Sequence, residues 1–301
     1  MRTIIIAGGT GLIGSRLAGI LAQKGHTVRI LTRSPRKEGQ YHWNPDQGTM
    51  DETALQGAHA IINLAGSGIA DQRWTNDRKR NLVDSRVKSI QTLYAALEKS
   101  AYPLPVFVSA SAIGIYGDSG EEWQTETTPI DQSPNRSFMV TCCDAWEKAA
   151  DSVSALGIRT VKIRIGIVLA KSGGALHEIA KPLQFGLGAY FSDGKAWYSW
   201  IHLDDICNLL IWAMENEQVN GVYNGVAPAP ERNYELTKDT AKAMGGLAVF
   251  LPAPAFALRL ALGEMSAVVL NSNRVSAEKV LKSGFVFQYP TLDKALDQIW
   301  G

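Results

Sequence analysis

The stretch Ile4-Ile5-Ile6-Ala7-Gly8-Gly9-Thr10-Gly11-Leu12-Ile13-Gly14 decides how the rest of the chain is read. A β-branched run without a polar break has the pattern of a parallel strand buried on both faces. The glycines after it suit a tight turn at the start of a first helix. Small residues serve three ends there: backbone angles closed to bulkier side chains, close approach of the main chain to a pyrophosphate, and tight packing of helix on strand. The spacing reads as Gly9-x-Gly11-x-x-Gly14 or as Gly8-x-x-Gly11-x-x-Gly14, and the amphipathic stretch 17–22 supplies the helix. A phosphate here meets free N–H groups and the positive end of the helix dipole. The turn therefore predicts a dinucleotide site contacted by Gly8, Thr10, Gly11, Leu12, Ile13 and Gly14. A tight strand-to-helix turn with no ligand is the competing reading.

Working outward, 301 residues suffice for one large core or a main domain with a smaller one. A net charge of +1 with 20% charged residues describes an ordinary surface, so neither nucleic acid nor a membrane is expected as a partner. The expected partner is an unidentified small-molecule substrate, and the expected state a monomer or homodimer. Cys142 and Cys143 are adjacent and Cys207 is remote, which gives neither a disulfide framework nor a zinc spacing and suits a reducing cytoplasm. Met1 leads directly into the first strand without a signal-peptide pattern. The most apolar long stretch, 249–270, contains Pro252, Pro254, Arg259 and Glu264, and reads as a buried or groove-lining helix rather than a membrane span.

Strand-like runs at 27–31, 60–66, 105–109 and 158–165 alternate with helical stretches at 77–99 and 137–156. That alternation predicts an α/β fold, a Rossmann-type doubly wound parallel sheet. Regularity breaks at Ala170, where 173–194 reads as a loop and short helix over a cleft; 222–226 returns to strand character and 231–301 is mostly helical. The expected division is a dinucleotide-binding domain at 1–166, with 201–227 returning to its sheet, and a smaller, mostly helical substrate domain from 167–200 and 228–301.

After the glycine turn come Asn63-Leu64-Ala65-Gly66, then Ser109-Ala110-Ser111-Ala112 leading to Tyr116-Gly117-Asp118, then Trp200-Ile201-His202-Leu203-Asp204-Asp205. With these motifs in order, the chain resembles the extended short-chain dehydrogenase/reductases, which include nucleotide-sugar epimerases and dehydratases. It is most similar to an atypical, epimerase-like branch that carries Arg73-Trp74 and a characteristic C-terminal domain. Here that domain shows Leu251-Pro252, Leu262-Gly263-Glu264-Met265, and Gly284-Phe285-Val286-Phe287 with Tyr289-Pro290.

The resemblance implies that Leu64, Ala65 and Gly66 join the cofactor contacts. It also implies a chemistry in which a serine, a tyrosine and a lysine four residues later act together. The lysine lowers the tyrosine pKa, and the phenol exchanges a proton with the substrate while hydride moves to or from nicotinamide. Ser111 matches the serine. Counting back from Gly157 puts the tyrosine and lysine at Phe138 and Cys142, to within one helical turn. Phenylalanine has no proton to give, and a thiol does not replace an ammonium. The Tyr-x-x-x-Lys that the chain does contain, Tyr234 to Lys238, comes too late in the fold order and reads as surface helix spacing.

Members that bind NAD carry an acid at the end of the second strand. Here Thr32 stands there, followed by Arg33, with Arg36 and Lys37 close behind. A carboxylate repels a 2′-phosphate and a guanidinium holds it, so the expected cofactor is NADP, with Arg33 as its contact. Ser111 is expected beside the nicotinamide, against a local backbone bond as the plain alternative. Tyr116 is the phenol nearest to it in sequence and the best substitute acid, against a pocket-lining role. Cys142 has no neighbouring histidine to activate it as a nucleophile. His202 with Asp204 and Asp205 reads as helix capping rather than a metal site. The basic, aromatic segment 73–80 reads as a clamp for an anionic substrate or cofactor phosphates, or as a solvated helix start. Together these readings imply an NADP-binding, epimerase-like or oxidoreductase protein with a nucleotide-sugar or other polar hydroxyl compound as substrate. The missing tyrosine–lysine pair implies the alternative, a non-catalytic NADP-binding regulatory or sensor protein.

Overall fold

In the computed structural model, which describes residues 1–301, the glycine stretch lies where a strand meets a helix. The first half runs β1 (Thr3–Ala7), α1 (Leu12–Gln23), β2 (Thr27–Thr32), β3 (Gln40–Asn44), β4 (Thr49–Met50), β5 (Ala58–Asn63), α2 (Asn76–Lys99), β6 (Val106–Ala112), β7 (Trp123–Gln124), α3 (Phe138–Ser154) and β8 (Arg159–Ile165). The second half runs β9 (Ile167–Leu169), α4 (Gly174–Leu183), β10 (Leu187–Phe191), β11 (Trp197–Tyr198), β12 (Trp200–His202), α5 (Leu203–Glu215), β13 (Gly221–Gly225), β14 (Glu231–Arg232), α6 (Asn233–Ala243), β15 (Val249–Ala253), α7 (Ala255–Leu262), α8 (Ala267–Leu270), β16 (Arg274–Val275), α9 (Glu278–Lys282) and α10 (Leu292–Trp300).

Eight strands form one sheet in the order β13-β8-β6-β5-β1-β2-β3-β4. Every neighbouring pair is parallel except β3 with β4. The β-branched runs carry no polar break because both faces are covered. Ile4, Ile6, Val108 and Ile163 pack with Leu17 of α1 and Leu209 of α5 on one side. Ile5, Ile61 and Phe107 pack with Leu93 of α2 and Trp146 of α3 on the other. Starts of the two outer helices follow local chemistry. Thr75 accepts from the Arg78 N–H and Asp77 lies in the first turn of α2, while Ser137 accepts from the Val140 N–H at the start of α3. The chain order reverses between β1 and β5, and ligands of open α/β sheets bind at such a switch point, beyond the C-terminal strand ends.

The parallel sheet and its helices stand where the periodicity places them, and β13 rejoins the sheet beside β8. The strands β3 and β4 lie outside the runs expected from the sequence: Gln40 to Asn44 does alternate polar and aromatic residues, but the run is short and holds no β-branched residue. A third core, away from the sheet, joins Leu176 of α4, Trp200, Leu236 of α6 and Leu296 of α10. Within it, the region 173–194 is α4 followed by β10 rather than a loop with one short helix. The expectation of one buried or groove-lining helix over 249–270 is corrected. Pro252 and Pro254 disfavour helix there, and 249–253 pairs with β10 as a strand. The α7 that follows buries none of its residues, and Phe256 and Leu260 are 74% and 78% exposed. No helix is long and apolar enough to cross a membrane.

Candidate functional site

The glycines of the first turn are not equivalent. Gly8 has φ +82°, and a Cβ on it would come 2.8 Å from the Leu64 carbonyl. A Cβ on Gly9 would meet the Ile30 side chain at 2.9 Å, and one on Gly14 would overlap the Gly8 carbonyl oxygen. These three are required by the packing of the fold itself. Gly11 is different. Its φ of −76° suits any residue, and a Cβ there would find only the Gly8 oxygen, at 3.5 Å. The protein leaves the space over Gly11 open, at the start of a helix with no side-chain cap and no acid in its first turn. Free N–H groups and the helix dipole give this end of α1 a field that favours negative charge.

From Gly8 and Thr10 a cleft of about 440 Å³ runs past Thr32 and Arg33 on one side and Ala65 and Gly66 on the other. Gly11, Leu12, Ile13, Gly14 and Leu64 do not line it; Leu12 and Ile13 open α1 two and three residues after Thr10, and Leu64 precedes Ala65, its N–H donating to the Ala7 carbonyl. Arg33 is exposed and takes part in no ion pair. A polar wall, not foreseen from the motifs, completes the cleft. Ser67, Asn81 and Ser85 line the same cleft, and so do Trp43 and Asp46 from β3 and its following loop. The Ser67 N–H donates to the Ser85 hydroxyl, and the Ser67 hydroxyl donates to Asn81 Oδ1. Small polar residues at 81 and 85, four apart on α2, were the available clue. Behind this wall Arg86 lies against Gly66, with its guanidinium 5.0 Å from the Trp146 ring centre.

Ser111 and Tyr116 occupy two ends of one polar chain. The Ser111 hydroxyl donates to Glu147 Oε1 at 2.7 Å, and Arg164 grips the same carboxylate through Nε and Nη2. Its remaining Nη1 donates to the Tyr116 hydroxyl at 2.9 Å, which donates to Asn224 Oδ1 at 2.7 Å. Ser111 is only 2% exposed, so this chain lies inside the wall of the site. Burial pushes the Tyr116 phenol above its ordinary range, against the pull of Arg164. Its proton is held by Asn224.

The helix α3 corrects the placement of the missing pair at Phe138 and Cys142. A Cβ on Gly114, in the turn after β6, would meet Met139 Cε at 2.8 Å and Cys143 Sγ at 3.7 Å. Residues 139, 143 and 147 therefore share the face turned toward Ser111 and Gly114, one residue on from the count, a rotation of about 100°. Phe138 packs edge-on against Trp74 instead. Neither a phenol nor an ammonium stands at Met139 or Cys143. Burial pushes both the Cys142 and Cys143 thiols upward, away from nucleophile behaviour. Tyr234 and Lys238 lie on α6, where Lys238 pairs with Glu235 and Tyr234 packs on Tyr190. His202 caps α5, accepting from the Asp204 N–H at Nδ1 with Gln298 at Nε2. No group of three or more His, Cys, Asp or Glu side chains is placed to hold a metal. The basic segment 73–80 is tied down at several points: Trp74 Nε1 donates to the Ile69 carbonyl, Arg78 to the Gly68 carbonyl, and Lys79 to Glu264.

A parallel sheet with a glycine turn at its switch point defines a dinucleotide-fold protein, and comparison with known families makes this specific. The chain belongs to the NAD dependent epimerase/dehydratase family, matched over residues 4–224, and residues 253–299 match a domain of unknown function, DUF1731. It is 34% identical over 300 residues to the epimerase family protein YfhF of Bacillus subtilis, spanning 98% of this chain and 97% of that one. The epimerase family protein ML0860 of Mycobacterium leprae is 33% identical, over 97% of this chain and 94% of its own. Among solved structures, the human epimerase family protein SDR39U1 (isoform 2) with NADPH superposes with a TM-score of 0.87 at 29% identity, covering 99% of each chain. A nucleoside-diphosphate sugar epimerase from Corynebacterium glutamicum gives 0.80 at 29% identity, covering all of this chain and 58% of that one.

Proposed function

We propose that this chain binds NADP(H) across the C-terminal edge of its sheet and acts as an epimerase-like oxidoreductase on a hydroxyl or carbonyl of a small molecule. The observation that carries the reading is Gly11, a glycine that the fold does not need and that keeps open the space at the start of α1. That its human relative was crystallised with NADPH supports it. In this reading the first turn of α1 and Gly11 receive the pyrophosphate, and Thr32 and Arg33 receive the 2′-phosphate. The strand-end residues Leu64, Ala65 and Gly66 flank the cofactor. When bound, the nicotinamide supplies or accepts hydride. Ser111 holds the base of the site through Glu147. Kinship points to a nucleotide-sugar or another hydroxyl compound, and the lining of a cavity beside α3 favours the second.

A specific observation favours a second reading, a non-catalytic NADP-binding sensor. The α3 face toward Ser111 carries Met139 and Cys143, so the usual proton donor is missing. General acid–base assistance is worth about 10²- to 10⁴-fold, and its loss predicts a protein slow or inactive with ordinary family substrates. The test of the shared premise is titration of the purified chain with NADPH, read by energy transfer from tryptophan, with mass analysis of any copurifying ligand. Saturable binding is expected. A flat titration in a folded sample with no copurified nucleotide overturns the proposal.

A further inference from the structure

A second cavity, of about 510 Å³, opens beside the α3 face that lacks the tyrosine. Met139 belongs to both, since it lines this cavity and also lies against Gly114 beyond β6. The space therefore adjoins the place where the reaction would occur. Trp74, Phe138, Met139 and Ala267 form an apolar side, and Ser137 and Thr141 join the charged residues on the other. Trp74 is 8% exposed, its indole N–H is held by the Ile69 carbonyl, and its ring meets Phe138 edge-on at 4.9 Å. Its volume suits a small organic molecule.

The rim of the cavity is positive. Arg136 bonds Asp144, the Asp131 carbonyl and Gln132 through Nη1 alone, which leaves Nη2 and Nε without protein partners. Lys79 directs one donor to Glu264 at 2.8 Å and has two more. The helix α3, 17 residues long, starts at this rim with no acid in its first turn. Glu264 is the one acid among the lining residues, and its side chain is 63% exposed. We infer that this cavity is the substrate pocket and that it takes a flat, largely apolar molecule bearing a carboxylate, with its ring against Trp74 and Phe138 and its anion toward Arg136 and Lys79. A sugar could reach Ser137 and Thr141 but would also set hydroxyls against Trp74, Phe138 and Met139, where they find no partners. The pocket's part in a reaction rests on the NADP(H) reading, whereas its occupancy does not.

The test is calorimetric titration of the intact protein, with and without NADP⁺, using 2-naphthoate, its methyl ester and UDP-glucose as probes. The acid is expected to bind about 10-fold more tightly than the ester, because only the acid makes charge-assisted bonds at the rim. Arg136→Gln and Lys79→Gln should each remove most of that preference and leave the ester unchanged, while Phe138→Ala should weaken both. Arg136→Gln withdraws a partner from buried Asp144; Lys79→Gln is free of that risk and decides the matter if the first variant misfolds. Equal binding of acid and ester, no binding of either, or tighter binding of UDP-glucose overturns the inference. Binding of 2-naphthoate by a protein that does not bind NADP⁺ upholds the pocket and removes the cofactor reading.

Discussion

Glu147 and Arg164 hold each other by two parallel bonds, Nε to Oε1 at 2.8 Å and Nη2 to Oε2 at 3.0 Å, with both side chains buried. The pair joins α3 to β8 beneath the site. Through it Ser111, near the end of β6, and Tyr116, five residues later, become parts of one structure. Two planar groups in a fixed fork leave little freedom, so the pair determines where Ser111 and Tyr116 stand.

Removing one partner should be far more damaging than removing both. Arg164→Met leaves an uncompensated buried carboxylate and should cost roughly 3–5 kcal/mol, whereas Glu147→Met with Arg164→Met should recover a large part of it. Urea denaturation of the two single variants and the double variant measures this. Costs that simply add would show that the pair does not act as a unit.

Two glycines of the first turn should respond differently. Gly11→Val should leave the circular dichroism spectrum and melting temperature near those of the parent and abolish NADPH binding, because its side chain enters space that only the cofactor uses. Gly14→Val should unfold or strongly destabilise the chain, since even a Cβ overlaps the Gly8 carbonyl. A soluble Gly11→Val protein with unchanged NADPH affinity would place the phosphates elsewhere.

Cofactor choice should depend on Arg33. NADPH is expected to bind at least about 10-fold more tightly than NADH, a difference of about 1.4 kcal/mol, and Arg33→Ala should remove most of it. Asp46 is the one acid lining the cleft, and it comes from the loop after β3 rather than from the end of β2. Equal affinities in the parent protein would contradict the assignment.

Acid should weaken the fold partly through His202. Burial holds this imidazole below its ordinary range, and its neutral form fits the partners, with Nδ1 accepting from the Asp204 N–H. The unfolded chain takes up the proton near pH 6.5, the folded chain only below that. Its contribution is thus complete above pH 6.5 and is lost as pH falls through the lower folded value. Stability should drop less steeply from pH 7 toward pH 5 in His202→Asn than in the parent. Parallel pH profiles would rule this out.

The residues 4–14 by themselves determined a strand, a turn and a helix, because the β-branched run, the glycines and the first helical turn interact within one short segment. The same locality made the positions of α2, α3, β6 and β8 legible from periodicity and capping. It did not reach the side of α3 that faces the site: whether Phe138 or Met139 looks toward Gly114 is a rotation of about 100°, and counting from a distant glycine does not fix it. Nor did it show which glycine is free, since Gly11 and Gly14 read alike until the Gly8 carbonyl is in place. Tyr116 meets Asn224 across 108 positions and Lys79 meets Glu264 across 185. Such pairs leave no periodic trace in the chain, because only the packed sheet and the returning C-terminal segment bring their charges and dipoles within bonding distance.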